Sequence, residues 1–463
     1  MKQQAEFETF SNSLFCKVNL KPDELEAVRF IASGIRTAGF EAKIVGGAVR
    51  DLLCAKIPDD VDMVTTATPD ELAGIFPEIK LTGQSFGVSR LRVNRTEIEI
   101  ASARRERNYM DGRHPESICC TRSLQEDSLR RDFTINAMML DPETGEILDF
   151  HGGIRDLKRG IIRTVGDPVQ RFQEDYLRML RAVRFAARSS FTIEPATFDA
   201  MKKLSHLAAN LAGERIREEL TRILTGRFPD RALRLLSQSG LLASVLPEID
   251  RLRGVTQPEE FHPEGDVFEH TLLMLRHMAY PDPLLAWSVL LHDVGKAVTR
   301  SVDKNDRIRF FGHEDEGEKI ARSILERLHF SRAETETVAH AVRNHMRMAS
   351  VCRMKKAKLR RLMGDPDFAI ELELHRLDCI ACHQFMENFV FLLDQLCAEP
   401  VLQLPEPWVK GRDLVNAGFS PSPHFKKVLD DTFEQQLSDV FAGPEEALEF
   451  AKITLSRLQS NMT

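Results

Sequence analysis

Segments typical of strands are confined to the first 150 residues of this 463-residue chain, and segments typical of helices fill the remainder. Residues 42–45 form a mostly apolar run that ends at a Gly-Gly pair, and residues 91–101 alternate between apolar and polar side chains. Alternation with a period of two is typical of a half-buried strand. Because strands precede helices here, we predict an α+β fold in front and an all-α part behind.

The length of the chain indicates several domains. At roughly 100–200 residues per domain, a chain of this size holds about three or four. Prolines at positions 247, 258, 263 and 281–283 interrupt the helical part. We predict four parts, which are residues 1–150, 151–250, 251–390 and 391–463.

The charge balance excludes one class of protein. Lys and Arg number 63 against 70 Asp and Glu, a net charge of -7, so the chain is not a strongly basic, histone-like binder. Two segments are nevertheless basic, residues 151–188 and residues 354–363. Each is either a solvated helix face or a surface that contacts a phosphate backbone, and the sequence leaves both interpretations open.

The distribution of cysteine and of apolar residues indicates the compartment. The eight cysteines do not form the pattern of a secreted disulfide framework. The first 15 residues lack a basic region followed by an apolar one, so we expect no signal peptide. Runs of about 18 apolar residues are absent from the sequence, so we expect no membrane helix and a cytoplasmic location.

Three acidic side chains suggest a metal-dependent reaction. Asp60 and Asp62 are alternate residues of an extended segment, so both carboxylates share a face, and Glu99 on another strand adds a third. Carboxylate oxygens suit Mg²⁺, and two such ions can activate a 3′-hydroxyl and neutralise a departing pyrophosphate. Asp-x-Asp is also common on protein surfaces, which is the alternative interpretation.

A glycine turn upstream would bind phosphate. Gly46 and Gly47 follow a predicted strand and open a helix, where backbone N–H groups approach an anion closely. Arg50 would add charge-assisted hydrogen bonds to a triphosphate. A simple tight turn is the alternative for such a pair of glycines.

Asp175 and Arg178 would select a nucleobase. They are three residues apart at a predicted helix start, so they share a face. A carboxylate accepts from an exocyclic amine and a guanidinium donates to a ring nitrogen, which fits cytosine and adenine but not uracil and guanine. The pair would therefore choose CTP and ATP without a nucleic-acid template. A salt bridge across one helix turn is the alternative.

The motifs of residues 40–225, in this order, resemble those of class II tRNA nucleotidyltransferases and bacterial poly(A) polymerases. The matching strings are IVGGAVRDLL, DDVDMVTTATPDEL, EIEIASARRERNYMDGRHP, LRRDFTINAM and QEDYLRMLRAVRFAAR. The resemblance implies a nucleotidyltransferase head with a small mixed sheet, followed by a helical neck and body. It assigns catalytic magnesium to Asp60 and Asp62, and nucleotide binding to Gly47, Arg50, Arg130, Arg131, Asp132, Asn136, Asp175, Arg178, Arg181 and Arg184. It makes residues 213–220 scaffolding for the helix that selects the base.

From this resemblance we expect addition of C, C and A to the 3′ end of tRNA from CTP and ATP, with no role for DNA. The presence of residues 104–115 favours complete CCA addition over CC addition, and residues 82–88 lack the string typical of poly(A) polymerases. Enzymes that add only A, only CC or a poly(A) tail remain alternatives. So do a phosphohydrolase whose front half only binds RNA, and an RNA-binding protein without enzymatic activity. The sequence does not determine the oligomeric state.

Histidines and aspartates in the rear half suggest a second metal site. His270, the pair His292-Asp293 and Asp378 follow the order H…HD…D, and these residue types bind one metal when they come from facing helices. His313 and His345 would complete a neighbouring metal position, and with them the predicted HD-site ligands number six.

The string LLHDVGK and the segment 262–383 resemble the HD-domain phosphohydrolases, as fused to bacterial tRNA nucleotidyltransferases. The resemblance implies a phosphatase or 2′,3′-cyclic phosphodiesterase that uses a divalent metal. A helical tail follows, and residues 409–437 resemble the end segment of these enzymes. Pro421-Ser422-Pro423 stands where that family has Pro-Gly-Pro.

Overall fold

The structure is a computed structural model that divides into two compact units, Met1–Asp250 and Arg251–Thr463. It describes all residues except 1–8, 11–12, 82–87, 110–111, 113–114, 259, 261, 264, 383, 399–403 and 461–463. The string at 82–88 and part of the stretch 104–115, both used above to choose among activities, therefore lie outside the described residues. The division of the chain into four parts stays a prediction.

The first unit is built on a mixed β-sheet, as predicted. Nine short strands follow the order β1-β2-β11-β10-β3-β4-β7-β6-β5, in which β4 and β7 are parallel and the other neighbours are antiparallel. The described strands of the unit are β1 (Thr9–Phe10), β2 (Ser13–Phe15), β3 (Ala42–Val45), β4 (Asp62–Thr65), β5 (Lys80–Leu81), β6 (Val88–Val93), β7 (Thr96–Ser102), β8 (Arg104–Tyr109), β9 (Pro115–Cys120), β10 (Met139–Leu140), β11 (Glu146–Leu148), β12 (Ile161–Ile162) and β13 (Thr192–Ile193).

The alternating run at residues 91–101 is two strands and not one. β6 and β7 form an antiparallel hairpin that turns at Asn94, whose φ is 54°. Asn tolerates this left-handed conformation better than most residues. The phase of the alternation changes across the turn, because the buried residue Leu91 is at an odd position and Ile98 and Ile100 are at even positions. The predicted faces are confirmed, since Ile98 and Ile100 are 2% and 0% exposed and Glu97 is exposed.

Helices cover the sheet and continue beyond it. Ile31 and Ile35 of the first helix are fully buried, as are Ile44, Met63 and Ile100 of the central strands. The helices of the unit are α1 (Pro22–Thr37), α2 (Gly47–Leu53), α3 (Pro69–Ile75), α4 (Leu124–Leu129), α5 (Gly153–Arg159), α6 (Pro168–Glu174), α7 (Leu177–Arg188), α8 (Pro195–Leu204), α9 (Gly213–Leu224), α10 (Pro229–Gln238), α11 (Leu241–Val245) and α12 (Pro247–Asp250), with 3₁₀ turns at Thr134–Asn136 and Ser205–Asn210.

The second unit is helical apart from one small hairpin, in agreement with the predicted all-α rear part. Its helices are α13 (Val267–His277), α14 (Pro283–Leu291), α15 (Lys296–Thr299), α16 (His313–Arg327), α17 (Arg332–Asn344), α18 (Lys356–Met363), α19 (Phe368–Ala381), α20 (Glu387–Ala398), α21 (Gly411–Asn416), α22 (His424–Leu437) and α23 (Pro444–Ser460). The hairpin strands are β14 (Ser301–Val302) and β15 (Ile308–Arg309), and a 3₁₀ segment spans His345–Arg353.

An apolar helix forms the centre of the second unit. The side chain of Asp282 accepts a hydrogen bond from the backbone N–H of Leu285, and Pro283 begins α14, so local sequence defines the helix start. Trp287 is fully buried, and its ring lies edge-on to Phe330 at 5.2 Å. Because α14 is apolar on every side, it is packed among other helices, and its C-terminal end at Leu291 delivers the next residue, His292, to the interior.

The basic segment at residues 354–363 is largely ion-paired. Lys356 and Arg360 lie 2.5 and 2.6 Å from the carboxylate of Asp439, and Arg361 lies 2.7 Å from Glu434. These acids belong to α22 and to the residues that follow it. The segment is thus neither a purely solvated face nor a free phosphate surface, because three of its five basic residues join α18 to the tail.

Two further features bear on the compartment. The helices of the described part are each too short or too polar to cross a bilayer. All eight cysteines carry free thiols.

Candidate functional site

A glycine turn opens the first candidate site. Gly46 has a φ of 71°, which only glycine adopts readily, and it directs the chain from β3 into α2. Arg50 on α2 is 6% exposed and donates from Nη1 to Oδ1 of Asn136 at 2.9 Å and from Nε to Oδ1 of Asp51 at 3.0 Å. The helix start at Gly47 and the guanidinium therefore belong to one short segment.

The three predicted carboxylates lie on two adjacent strands. Asp62 begins β4 and is in register with Glu99 of the parallel strand β7. Asp60 precedes the strand, and buried Val61 between the two aspartates shows that they face the other way. Loss of solvation and the negative charges of Glu99 and Asp60 raise the pKa of Asp62, while Arg131 opposes that shift. Such an excess of carboxylates suits a divalent cation.

Asp132 connects the Arg-Arg-Asp motif to the helix that follows. Arg181 of α7 donates from Nε and Nη2 to Oδ2 of Asp132 at 2.9 and 2.8 Å. Asn136 donates to Oδ1 at 3.1 Å, and the same Asn136 accepts from Arg50. Burial alone would raise the pKa of Asp132, but these partners lower it, so the carboxylate is ionised. A continuous network from Arg50 through Asn136 and Asp132 to Arg181 results.

Asp127 holds the two arginines of this motif, a role that the sequence did not reveal. Its carboxylate is fully buried and lies 2.8 Å from Nε of Arg130 and 3.1 Å from Nη2 of Arg131. In the described structure Nε of Arg131 is buried without a hydrogen bond. The spacing of Asp127 from Arg130 and Arg131 could have indicated this role, because an acid three or four residues before an arginine faces it on a helix.

Phe185 is a second residue that sequence reasoning missed. Its ring has three guanidinium carbons around it, those of Arg50, Arg181 and Arg184, at 5.3, 5.2 and 4.3 Å from the ring centroid. Arginine over an aromatic face is favourable, so the ring orients these cations. The three cations form a concentration of positive charge suited to phosphate groups.

Asp175 and Arg178 have different partners in the structure. Asp175 lies between α6 and α7, so the predicted helix start is two residues later than expected, at Leu177. Arg215 donates to both carboxylate oxygens of Asp175, at 3.1 and 3.2 Å. Arg178 donates to Oε2 of Glu174 at 2.7 Å. Among the described residues, Asp175 and Arg178 therefore do not form the salt bridge with each other that was the alternative interpretation.

Helix α9 supports this region through ion pairs. Arg215 lies in its first turn and binds Asp175, while Glu219 is 2% exposed and binds Nε of Arg184. Both residues belong to the 213–220 motif, which was interpreted only as scaffolding. The structure identifies how that support is achieved, through charged side chains that contact two predicted nucleotide-binding residues.

The second candidate site brings together all six predicted HD-site residues. Nε2 of His270 lies 3.2 Å from Oδ1 of Asp378, and Nε2 of His292 lies 3.2 Å from Oδ2 of Asp293. The remaining two histidines approach Oδ1 of Asp293, with Nε2 of His313 at 3.6 Å and Nε2 of His345 at 3.7 Å. The arrangement places Asp293 between the two predicted metal positions.

Backbone carbonyls orient three of these rings. The Nδ1 atoms of His292, His313 and His345 each lie within 3 Å of a carbonyl oxygen, which can only accept. The acceptors are the carbonyls of Val289, Phe310 and Val342, at 2.8, 2.9 and 2.7 Å respectively. Nδ1 therefore carries the proton, and the lone pair of Nε2 faces the centre of the site, as in metal-binding histidines.

Protonation and hydrogen bonding agree with a metal site. Burial lowers the pKa of His345 to about 4, so the ring is neutral at pH 7 and able to act as a ligand. Among the described residues, buried Nε2 of His292 and Oδ1 of Asp293 make no hydrogen bond. Buried polar atoms are normally satisfied, so these two fit a divalent metal between them.

Gly295 and Lys296, in the string LLHDVGK, shape the same site. A Cβ atom on Gly295 would lie 2.1 Å from the carbonyl oxygen of His313, so only glycine lets α16 approach this closely. Lys296 was not predicted, yet its Nζ lies 2.7 Å from Asp293 and 2.7 Å from Oε1 of Gln257. Gln257, Asp293 and Lys296 line a cavity of about 660 Å³ beside the histidines.

Family models match three parts of the chain. The poly A polymerase head domain matches residues 42–163, and the probable RNA and SrmB-binding site of polymerase A matches residues 190–252. The HD domain matches residues 267–363. The first two cover the carboxylates and the helices α8 to α12, and the third covers five of the six predicted HD ligands.

Curated relatives match a little under half of the chain. The CCA-adding enzyme of Ligilactobacillus salivarius (strain UCC118) is 45% identical over 212 residues, which cover 46% of this chain and 52% of that relative. The CCA-adding enzyme of Bacillus pumilus (strain SAFR-032) is 41% identical over 215 residues, covering 46% and 53%. The chain thus matches about half the length of these relatives.

Solved structures match nearly the whole chain. The CCA-adding enzyme of Bacillus stearothermophilus in complex with CTP is 25% identical, has a TM-score of 0.72 and covers 95% of this chain and 100% of that one. The Thermotoga maritima CCA-adding enzyme complexed with tRNA is 21% identical with a TM-score of 0.61, covering 94% and 96%. Two parts of the chain therefore match domains of poly A polymerases and a third matches the HD domain, within the fold of the solved CCA-adding enzymes.

Proposed function

We propose that this protein adds C, C and A to the 3′ end of tRNA, using CTP and ATP and releasing pyrophosphate. The observation that carries the proposal is the convergence of Asp60, Asp62 and Glu99, with Arg131 close enough to oppose their effect on the pKa of Asp62. Carboxylates next to fixed cations are what nucleotidyl transfer requires, since one group must hold metal and another must hold triphosphate. The curated relatives named CCA-adding enzymes support the same activity.

The chain's own residues would position the nucleotide. When bound, Mg²⁺ at Asp60 and Asp62 would activate the 3′-hydroxyl and neutralise the leaving pyrophosphate. Arg181 is held by Asp132, and Arg50 is linked to the same Asp132 through Asn136. Because these guanidiniums are already oriented, little reorganisation is needed when a triphosphate binds.

Base selection remains assigned to Asp175 and Arg178. A carboxylate offers about four acceptor positions, so Asp175 can accept from a base amine while it retains Arg215. Arg178 has about five donors, and its contacts with Glu174 and with the carbonyls of Arg171 and Arg130 use three of them. The ion pairs seen here support a preformed template, because each group is held rigidly and still has hydrogen-bonding capacity.

One assay tests the proposal. The purified protein and Mg²⁺ are incubated with tRNA that lacks its 3′ CCA, with CTP alone, ATP alone or both, and the products are sequenced. We expect CC from CTP alone and complete CCA from both nucleotides. A second acceptor that already ends in CC is tested beside it. Addition of A to that acceptor only, a product that ends at CC when both nucleotides are present, a poly(A) tail, or no addition to either acceptor would each replace the proposal with the corresponding alternative.

We also propose that the HD site is a metal-dependent phosphohydrolase acting on phosphate esters such as a 2′,3′-cyclic phosphate. The unsatisfied Nε2 of His292 and Oδ1 of Asp293 support it, as does the cation of Lys296 beside the cavity. Release of phosphate from bis-p-nitrophenyl phosphate or opening of a 2′,3′-cyclic nucleotide, measured across Mg²⁺, Mn²⁺, Ni²⁺ and Zn²⁺, tests the activity. Hydrolysis in the absence of any added metal would refute the metal dependence. A failure to hydrolyse these substrates with every one of the metals would refute the activity.

The proposed site of action is the cytoplasm. Eight free thiols are the state expected in a reducing compartment. Detection of the protein in the separated fractions of lysed cells tests this location, and we expect it in the cytoplasmic fraction.

A further inference from the structure

A cluster of acidic residues around His340 lies apart from both sites described above. His340 belongs to α17, Asp365 and Asp367 to the turn that precedes α19, and Glu371 to the first turn of α19. Arg347, in the 3₁₀ segment after α17, is the cation beside them. The cluster therefore joins three consecutive stretches of the second unit.

Carboxylate oxygens surround the imidazole ring of His340. Nδ1 lies 3.2 Å from Oε1 of Glu371 and 3.6 Å from Oδ2 of Asp367, and Nε2 lies 3.8 Å from Oδ2 of Asp365. Two ligands of a tetrahedral metal with bonds of 2.0–2.1 Å are about 3.4 Å apart. The separations at Nδ1 bracket that value, and His340, Asp365 and Asp367 offer ligand atoms that all lie within 4.8 Å of one another.

Two buried atoms of the cluster lack hydrogen bonds. Oε1 of Glu371 and Nδ1 of His340 face each other, yet within the described part of the chain neither makes a hydrogen bond. Glu371 is only 1% exposed, so water does not readily compensate its carboxylate. The same feature, unsatisfied imidazole nitrogen facing unsatisfied carboxylate oxygen, occurs at His292 and Asp293 in the HD site.

The charges of the cluster do not balance. Three carboxylates face the single guanidinium of Arg347, which lies 2.7 Å from Glu371 and 3.4 Å from Asp365. Acidic side chains therefore outnumber basic ones in this cluster. Burial raises the pKa of Glu371 to about 7, and although Arg347 opposes the shift, Asp365 and Asp367 add to it. A divalent cation would remove this repulsion and match the excess charge.

The surroundings hold the donors in place and leave access to solvent. Thr337 donates to Oδ1 of Asp367 at 2.9 Å, so Oδ2 is turned toward His340. Arg347 holds Oε2 of Glu371 through Nε at 2.9 Å, so Oε1 is turned toward the same ring. His340 is 36% exposed, which gives an ion a path to the cluster.

We propose that His340, Asp365 and Asp367, with buried Glu371 beside them, form a further binding site for a divalent transition metal such as Zn²⁺ or Mn²⁺. One imidazole with carboxylate oxygens is a donor set typical of these ions. The site lies next to the HD ligands along the chain, because His345 directly follows α17 and α19 carries Asp378. Seven residues separate Glu371 from Asp378, about 10 Å along the helix. The metal would therefore stabilise the helices next to the HD site without being bound by the HD ligands.

Metal counting with matched variants tests the proposal. The full chain and the His340→Ala variant are dialysed against the same low-micromolar Zn²⁺, and bound zinc is measured by mass spectrometry. The His277→Ala variant controls for the loss of an exposed histidine on α13. We expect His340→Ala to bind one Zn²⁺ fewer per chain than the wild type, and His277→Ala to bind the same number.

The Asp367→Asn variant and a variant with a disrupted HD site distinguish metal bound at the His340 cluster from metal bound at the HD site. Asp367→Asn keeps the volume of the side chain, so it replaces His340→Ala if that variant does not fold. The loss of one Zn²⁺ must also be observed when Asp367→Asn is introduced into the His292→Ala, Asp293→Ala double variant. A metal content unchanged by either substitution would overturn the proposal and leave a cluster of ion pairs only. A loss that disappears in the double variant would overturn it too, since the metal would then be that of the HD site.

Discussion

Arg215 donates hydrogen bonds from Nη2 to both carboxylate oxygens of Asp175, at 3.1 and 3.2 Å. The carboxylate that we assign to base recognition is thus fixed by a side chain of α9, 40 residues further along the chain. Arg178 is fixed in the same way by Glu174. If Asp175 and Arg178 select the base as we propose, Arg215 and Glu174 position them for it.

Replacing Asp175 with Ala should reduce the choice of nucleotide more than the rate of addition. The base amine loses its acceptor, and each lost hydrogen bond costs on the order of 1–3 kcal/mol, or about 5–150-fold in discrimination. Arg215→Ala should produce a smaller change in the same direction, because Asp175 is then less well oriented. Misincorporation of UTP and GTP on one tRNA acceptor measures the effect, with exposed Glu218→Ala on α9 as the control. An unchanged ratio in folded Asp175→Ala would contradict the template role.

Replacing either carboxylate of the head should abolish nucleotide addition. Asp60→Ala and Asp62→Ala each remove a proposed metal ligand, so we expect the rate to fall by more than about 10²-fold. Asp59→Ala removes a neighbouring exposed carboxylate and should retain activity. Single-turnover incorporation of CMP measures all three variants. Near-normal rates for Asp60→Ala or Asp62→Ala would show that the metal is held elsewhere.

The two active sites should respond independently to substitution. His292→Ala combined with Asp293→Ala removes two ligands of the HD site, so phosphohydrolase activity should be lost. Nucleotide addition should be largely retained, since its residues belong to the other compact unit. Both activities are measured on the same preparation, with circular dichroism to confirm folding. A folded double variant that cannot extend tRNA would show that the sites are coupled.

Gly295→Ala should disable the HD site without changing a ligand. The added Cβ would lie 2.1 Å from the carbonyl oxygen of His313, so α16 must move and carry His313 away from Asp293. Loss of metal affinity of at least about 10-fold is expected, as for other changes that misplace a ligand. Gly443→Ala is the matched control, because its Cβ would have no neighbour within 4 Å. Equal metal affinity in both variants would refute this account.

The stability of the first unit should depend on pH through Asp141. Burial raises the pKa of this carboxyl, but Lys43 at 2.7 Å and the backbone N–H groups of Thr144 and Glu143 lower it to about 2. This value lies below that of an unfolded aspartate, about 3.9, so the stabilisation is present above about pH 4 and is lost as pH falls through 2.

Asp141→Asn should therefore destabilise the first unit at pH 7 and much less near pH 2. Hydrogen exchange of the amides in β3, β10 and β11 is the suitable measurement, because both tryptophans lie in the second unit. Exposed Glu78→Gln serves as the control. A difference between variant and wild type that stays constant down to pH 2 would contradict the role of Asp141.

Much of the architecture and the identity of the reactive residues follow from the sequence. The alternation around Ile98 and Ile100 predicts which strand face is buried, and the spacing of Asp60 and Asp62 predicts that both carboxylates share a face. The order H…HD…D predicts four of the HD-site residues, His313 and His345 were predicted as additions to them, and all six lie together. These features are local or depend on residue type, so a single chain reveals them.

Only the tertiary structure decided which side chains pair. Asp175 binds Arg215 and Arg184 binds Glu219, although 40 and 35 residues separate the partners. Several acids and arginines compete for each such contact, and the separation along the chain does not rank them. The environment of Glu371 was equally invisible, because its burial and its distance to His340 arise when α17 and α19 pack together. Spacing along a helix constrains neighbours three and four residues away, and pairing across the fold depends on the geometry of packing.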